Sequence, residues 1–303
     1  MYKFNVSLLL IISLTLCGCA TIYNPATEKK EFVFVTTPIE VSIGNMLASK
    51  FSQQFQISKD KQKTNIVTEI GQKIARVSDR TDLKYYFNVV EDASLNAFTA
   101  PGGYIYINSG LIEKATQDEL ACVIGHEVGH VAARHIAKKL QTELGYDILM
   151  NIATRKAGFR DMQKAVSLSY NLVMLGYSRE DELLSDRLGA KYAYKAGYDP
   201  YAMVSFLKKL KDANPEEIGF VFLRSHPYAS QRINLLEKQI PAIIEKIDKK
   251  ATLNALPGNI QLTQVKQQEL NSNTSTPLRV MCPVCKRIFS GKTKFCPYDG
   301  TKL

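Results

Sequence analysis

Three of the four histidines in this 303-residue chain fall within ten positions, in the stretch VIGHEVGHVAARH. His126 and His130 bracket Glu127 in the spacing His-Glu-x-x-His. Positions four apart on a helix share one face, a turn apart, so both imidazoles can reach a single metal ion. Glu127 falls beside them, where a carboxylate can take a proton from water that the metal polarises. The pattern points to a hydrolytic zinc site. A helix that merely carries His and Glu toward solvent would show the same letters, so a third ligand decides.

A catalytic zinc needs three protein ligands and an open position. His135 lies five residues past His130, whereas the extended metzincin pattern sets its third histidine six past the second with a glycine between. His135 therefore reads as a surface residue of the same helix. The stretch SREDELLSDRLGA offers better candidates, Glu182 and Asp186, four apart on a later helix. Glu182 can ligate. Asp186, one turn on, can accept the other N–H of a ligand histidine and fix its tautomer.

These residues need elements to hold them. Thr116 to Glu119 reads as a capping box that starts the motif helix, with Leu120, Ile124 and Val131 as its apolar stripe. Before it, aromatic and β-branched runs near 85–90, 95–99 and 103–108 read as strands joined by tight turns. Two helices are expected between Phe32 and Asp79, one with Ile66, Ile70 and Ile74 on a shared face. Residues 141–177 are helical in character with weak periodicity. Ser178 caps the helix that carries Glu182, and Gly197 stops it. Asp199-Pro200 starts another helix. A last one spans about 229–247, with Ile233, Leu236, Ile240 and Ile244 on one side and a kink or split at Pro241.

With 45% hydrophobic and 22% charged residues the chain reads as globular, with room for one large domain and a small one. About half of the net charge of +10 sits in the tail, where Arg279, Lys286, Arg287, Lys292, Lys294 and Lys302 face only Asp299. No basic-aromatic signature of nucleic-acid binding accompanies it. At the other end, Lys3 precedes an apolar run from Val6 to Leu16, too short for a membrane helix and suited to a secretory signal. Leu16-Cys17-Gly18-Cys19 resembles a bacterial lipobox, with Cys19 the residue lipidated. Cys17 stands where Ala, Ser or Thr is more usual. Ala20 in the next position implies outer-membrane delivery.

HEVGH followed some fifty residues later by Glu-x-x-x-Asp resembles the zinc peptidase family that includes the CAAX prenyl endopeptidases and bacterial periplasmic quality-control proteases, peptidase family forty-eight. SLNAFTAPGGYIYINSGLI is similar to the family's segment before the active helix, and RSHPYASQRINLLE to its His-Pro motif. The likeness covers about residues 40–245. It implies an α+β, mainly α, zincin-like fold with a small β-sheet flanking the active-site cleft. It also implies His126, His130 and Glu182 as zinc ligands and Glu127 as general base. Asn96, Ala97 and Phe98 fall where the family's edge strand binds extended substrate backbone. His226 resembles a histidine that closes the site or helps stabilise the oxyanion. Arg232, just beyond it, is placed to pair with an active-site carboxylate.

The tail, MCPVCKRIFSGKTKFCPYDG, resembles a zinc ribbon with Cys282, Cys285 and Cys296 and with Asp299 where cysteine is usual. A second, structural zinc on these four is favoured. In an oxidising compartment a disulfide between two of the thiols is the alternative. Five segments result: a signal peptide over 1–18, a tether over 19–39, the metallopeptidase domain over 40–248, a polar linker over 249–277 and the ribbon over 278–303. The expected protein is a lipid-anchored zinc metalloendopeptidase at the outer membrane facing the periplasm, cleaving misfolded or mis-assembled envelope proteins. Its rivals are a self-inhibited chaperone or assembly factor of the same fold, and an adaptor that recognises clients through the ribbon.

Overall fold

The computed structural model describes residues 21–154, 156–212 and 220–254, and in the tail 279–281, 283 and 288–290. The chain divides into two compact units, 1–247 and 248–303. Cys19 and the four ribbon residues, Cys282, Cys285, Cys296 and Asp299, lie outside the described residues.

The first unit is mainly helical with two small sheets. It opens with an antiparallel hairpin of β1 (Thr21–Asn24) and β2 (Lys29–Phe32). Helices α1 (Thr37–Gln54) and α2 (Lys61–Arg76) follow. Asp60 caps α2, its carboxylate accepting from the backbone N–H groups of Gln62 and Lys63. The buried face of α2 is Val67, Ile70 and Ile74; Ile66, expected in that stripe, is 39% exposed. Its period-four match put it one position off the true stripe.

A three-stranded sheet has the order β3-β5-β4, from β3 (Tyr86–Val90), β4 (Ala97–Ala100) and β5 (Tyr104–Asn108). β3 runs parallel to β5, while β4 pairs antiparallel with it from Ala97↔Ile107 to Ala100↔Tyr104. Pro101-Gly102-Gly103 makes the turn between β4 and β5. Gly103 has φ 86°, and a Cβ there would sit 2.4 Å from the Lys84 carbonyl oxygen, so no other residue fits. β4 is left as an edge strand and packs against the motif helix.

After the short α3 (Ser109–Lys114) comes the motif helix, α4 (Gln117–Ala132). Thr116 accepts from the Glu119 N–H, and Glu119 returns an acceptor to the Thr116 N–H at 2.9 Å. Every residue from Glu119 to Ala132 is buried, so α4 is the central helix of the unit and not an amphipathic one with a wet face. The helix ends because Arg134 adopts a left-handed φ of 61°. His135 then begins a new helix, α5 (His135–Glu143), and is itself buried. That corrects its reading as a surface residue continuing α4: the left-handed turn at Arg134 ends α4 and starts a new helix with His135 inside.

Residues 141–177, without clear periodicity, contain the end of α5, then α6 (Tyr146–Ala153) and α7 (Phe159–Leu175). α8 (Arg179–Lys195) starts at the Ser178 cap, which accepts from the Asp181 N–H. α9 (Ala202–Asp212) begins two residues beyond Pro200. α10 (Phe220–Ser225) precedes α11 (Ala229–Asn254), which passes Pro241 without a split and runs into the stretch expected as linker.

Two apolar clusters hold the unit. One joins α2, the sheet, α4, α8 and α9. The other joins α1, all three strands of the sheet and α5 to α7 around Phe51, whose ring lies 5.2 Å from Tyr106 and 5.6 Å from Phe98. Among the described residues no helix is long and apolar enough to cross a membrane. In the second unit, β6 (Arg279–Met281) and β7 (Ile288–Ser290) form an antiparallel pair.

Candidate metal centre

α4 and α8 cross so that His126, His130 and Glu182 meet at full burial. His126 Nε2 and His130 Nε2 lie 2.9 Å apart. Glu182 places Oε2 3.5 Å from His126 Nε2 and Oε1 3.4 Å from His130 Nε2. Ligand atoms set tetrahedrally about zinc at about 2.1 Å would be separated by roughly 3.4 Å. Two imidazole nitrogens and a carboxylate converging at such spacing, in a closed interior, fit that ion. Together with His226 they form a group whose ligand atoms all lie within 4.8 Å of one another.

His226 enters from the break between α10 and α11. Its Nδ1 is 2.9 Å from Glu182 Oε1 and 3.2 Å from His126 Nε2, and its Nε2 is 3.4 Å from Glu127 Oε1. Its ring stacks between Phe222 at 4.5 Å and Tyr177 at 5.6 Å. His226 is fully buried, as are Glu127 and the ligand trio, so the centre is shut to solvent.

Glu127 has both carboxylate oxygens buried with no hydrogen-bond partner. Burial pushes its carboxyl up from the ordinary range, against the pull of His226 and His126. Glu182 is held well below its ordinary value: burial opposes its charge, but His226, Arg232 and His126 outweigh it. Glu182 therefore carries its charge inside the cluster, while burial favours the protonated form of Glu127.

The supports lie one layer out. Asp186 Oδ1 is 2.8 Å from His126 Nδ1, so His126 donates there and keeps Nε2 free for the cluster. Arg232, fully buried, donates from Nε and Nη2 to the two Asp186 oxygens at 2.7 Å each. Its Nη1 donates to the His226 carbonyl at 3.1 Å and lies 2.9 Å from Glu182 Oε2, an ion pair without hydrogen-bond alignment. One guanidinium thus ties α11 to Glu182 and Asp186 of α8.

The sequence reading missed two members. Tyr177 stacks on His130 with ring centres 3.6 Å apart, and its buried hydroxyl has no partner. His135 places Nδ1 2.8 Å from His130 Nδ1. Scarcity was the available signal for His135, because all four histidines of the chain converge here. Nothing in the local sequence singled out Tyr177.

Ala97 and Phe98 lie on the edge strand β4, with Phe98 stacked on Tyr106 at 4.9 Å. Asn96 precedes the strand, its carbonyl accepting from the Asn108 N–H at 3.0 Å and its buried side-chain oxygen unpartnered.

A model of peptidase family M48 matches residues 61–240. The chain is 29% identical over 181 residues to the mitochondrial metalloendopeptidase OMA1 of Schizosaccharomyces pombe, covering 59% of this chain and 53% of that one. It is 30% identical over 192 residues to the protein of that name from Arabidopsis thaliana, covering 63% and 39%. It is 25% identical over 211 residues to the beta-barrel assembly-enhancing protease of Escherichia coli, covering 64% and 42%. The chain spans about half the length, or less, of these curated relatives.

Proposed function

The chain belongs to peptidase family M48, and from that membership we propose that it is a zinc metalloendopeptidase of a bacterial cell envelope, cleaving misfolded or mis-assembled envelope proteins. One observation carries the reading: His126, His130 and Glu182 converge with ligand spacing, and the carboxylate of Glu127 lies beside them without a hydrogen-bond partner.

Zinc held by His126, His130 and Glu182 would supply a Lewis acid that polarises a peptide carbonyl and activates water. Glu127, beside the cluster, would take the proton of the attacking water and deliver it to the leaving amine. Asp186 and Arg232 keep His126 and Glu182 in register. The edge position of β4 supports Asn96, Ala97 and Phe98 as the place where extended substrate adds as a further strand, a mode with little sequence specificity. The four ribbon residues, Cys282, Cys285, Cys296 and Asp299, would hold a second, structural zinc. Lipid on Cys19 would anchor the chain, at the outer membrane facing the periplasm; the E. coli relative, by its name a beta-barrel assembly-enhancing protease, favours an envelope setting.

The burial of the centre favours a second element of the reading: His226 keeps the site closed until a client or partner opens it. In its extreme form the protein binds envelope clients and rarely cuts them. Cleavage of casein or an unfolded client by the purified protein, with and without chelator and beside Glu127→Gln, tests the enzyme reading. Zinc-dependent activity that Glu127→Gln lowers by about a hundredfold or more is expected. Equal activity in the two proteins would sink it.

A further inference from the structure

We infer that His135 is the positioning residue for His130, holding that imidazole with Nε2 turned into the metal cluster. The inference rests on the zinc-site reading above and extends it to a residue outside the ligand set.

His130 offers Nε2 to the cluster, 2.9 Å from His126 Nε2 and 3.4 Å from Glu182 Oε1. A neutral imidazole that presents a lone pair at Nε2 must carry its proton on Nδ1. His130 Nδ1 lies 2.8 Å from His135 Nδ1, with both rings buried. Two nitrogens so close need one donor and one acceptor. His130 therefore donates, and His135 accepts through a bare Nδ1 with its own proton on Nε2. The Asp181 carboxylate, 3.4 Å from that Nε2, favours this tautomer. The Ser185 hydroxyl, 3.4 Å from His135 Nδ1, is the other polar group beside the acceptor.

The arrangement parallels the one at His126, where a carboxylate, Asp186, accepts the Nδ1 proton. For His130 the acceptor is a neutral ring. The fold builds this deliberately placed ring through Arg134. Its left-handed φ of 61° ends α4, and its guanidinium is held by the Val35 carbonyl and lies 3.4 Å from Glu40. The turn brings His135 back against the residue five positions before it. Tyr177 covers a face of the His130 ring, so stacking and the hydrogen bond together fix its plane.

Zinc affinity of the full-length chain, by competition with a chromophoric chelator, tests this. His126→Ala sets the baseline for any zinc held elsewhere. His135→Leu fills the space without an acceptor and should weaken the site about 10- to 100-fold. His135→Asn puts an amide oxygen near the position of Nδ1 and should bind within about threefold of wild type. His135→Gln carries the same amide one methylene too far and should behave as His135→Leu does, which keeps the test alive if the leucine variant does not fold. A merely structural role would not separate Asn from Gln. Equal affinity in all three variants and wild type, or equal weakening in all three, overturns the inference. A wild-type affinity no higher than that of His126→Ala would instead remove the metal site itself, and the inference with it.

Discussion

Gly125 on α4 and Gly189 on α8 meet backbone to backbone. A Cβ built on Gly189 would lie 2.8 Å from the His126 nitrogen and 3.0 Å from its Cα, and one built on Gly125 would lie 2.9 Å from the Gly189 carbonyl oxygen. Neither obstacle is a side chain that can swing away. This contact sets how closely the two helices cross, and so whether Glu182 on one reaches the two histidines on the other. Gly189→Ala should destabilise the fold by about 1–3 kcal/mol and weaken zinc binding as well. Gly145→Ala, where nothing lies within 4 Å, is the control. Chelator competition and thermal unfolding measure both effects. Unchanged zinc affinity in Gly189→Ala would show that the close approach does not position Glu182.

Arg232 makes the second cross-link. Its guanidinium contacts both Asp186 and Glu182 inside a fully buried site, and removing that positive charge leaves the two carboxylates with less compensation. Arg232→Ala should lower unfolding stability by about 3–5 kcal/mol, measured in urea. A loss below about 1 kcal/mol would mean that water or a bound cation already serves the two carboxylates.

Residues whose chemistry needs a fixed spacing were readable without coordinates. His126, Glu127 and His130 declare themselves because a helix converts a spacing of four into a shared face. The capping boxes at Thr116 and Ser178 marked where α4 and α8 begin, since their side chains answer a local need for acceptors. The strands around Pro101-Gly102-Gly103 showed through their composition. What stayed hidden was set by tertiary burial. α4 is buried on every side, so its periodicity carried little about which face meets α8. His135 looked like an exposed continuation because the left-handed turn at Arg134 has no residue-type signature. Ile66 matched a four-residue spacing and is exposed, whereas Val67 beside it is fully buried.

Burial of His135 has a measurable consequence for acid stability. Burial pushes its imidazole down to about 4, from an ordinary value of 6.5. Between those values the unfolded chain binds a proton that the folded chain refuses, so stability falls as pH drops from 6.5 toward 4 and is fully present above 6.5. At pH 5 the loss from this one group is about 2 kcal/mol relative to pH 7. Urea unfolding with chelator present, at both pH values, should show wild type losing about that much more than His135→Asn. Parallel losses in the two proteins would mean that His135 protonates freely in the folded state.

His226 is the residue on which the sign of a mutation separates two roles. Its Nδ1 sits among the ligand atoms, 2.9 Å from Glu182 and 3.2 Å from His126, while Nε2 points at Glu127. In that place it occupies a fourth corner of the cluster formed with His126, His130 and Glu182. If a closed state of this kind is favoured by ~1.4 kcal/mol, about nine-tenths of the molecules are shut and apparent activity is cut roughly tenfold. His226→Ala should then raise peptide turnover by up to about tenfold, with His126, His130 and Glu182 still retaining zinc. A histidine that instead donates to the developing oxyanion would give the opposite sign, a loss on the order of a hundredfold. The stacking of His226 between Phe222 and Tyr177 argues for the first role, because those contacts hold the ring inside the cluster and not beside an open cleft. Turnover of a short peptide, normalised to bound zinc, gives the answer. A rise supports gating, a fall assigns the oxyanion role, and a change within about twofold would reduce His226 to a residue that closes the turn before Pro227.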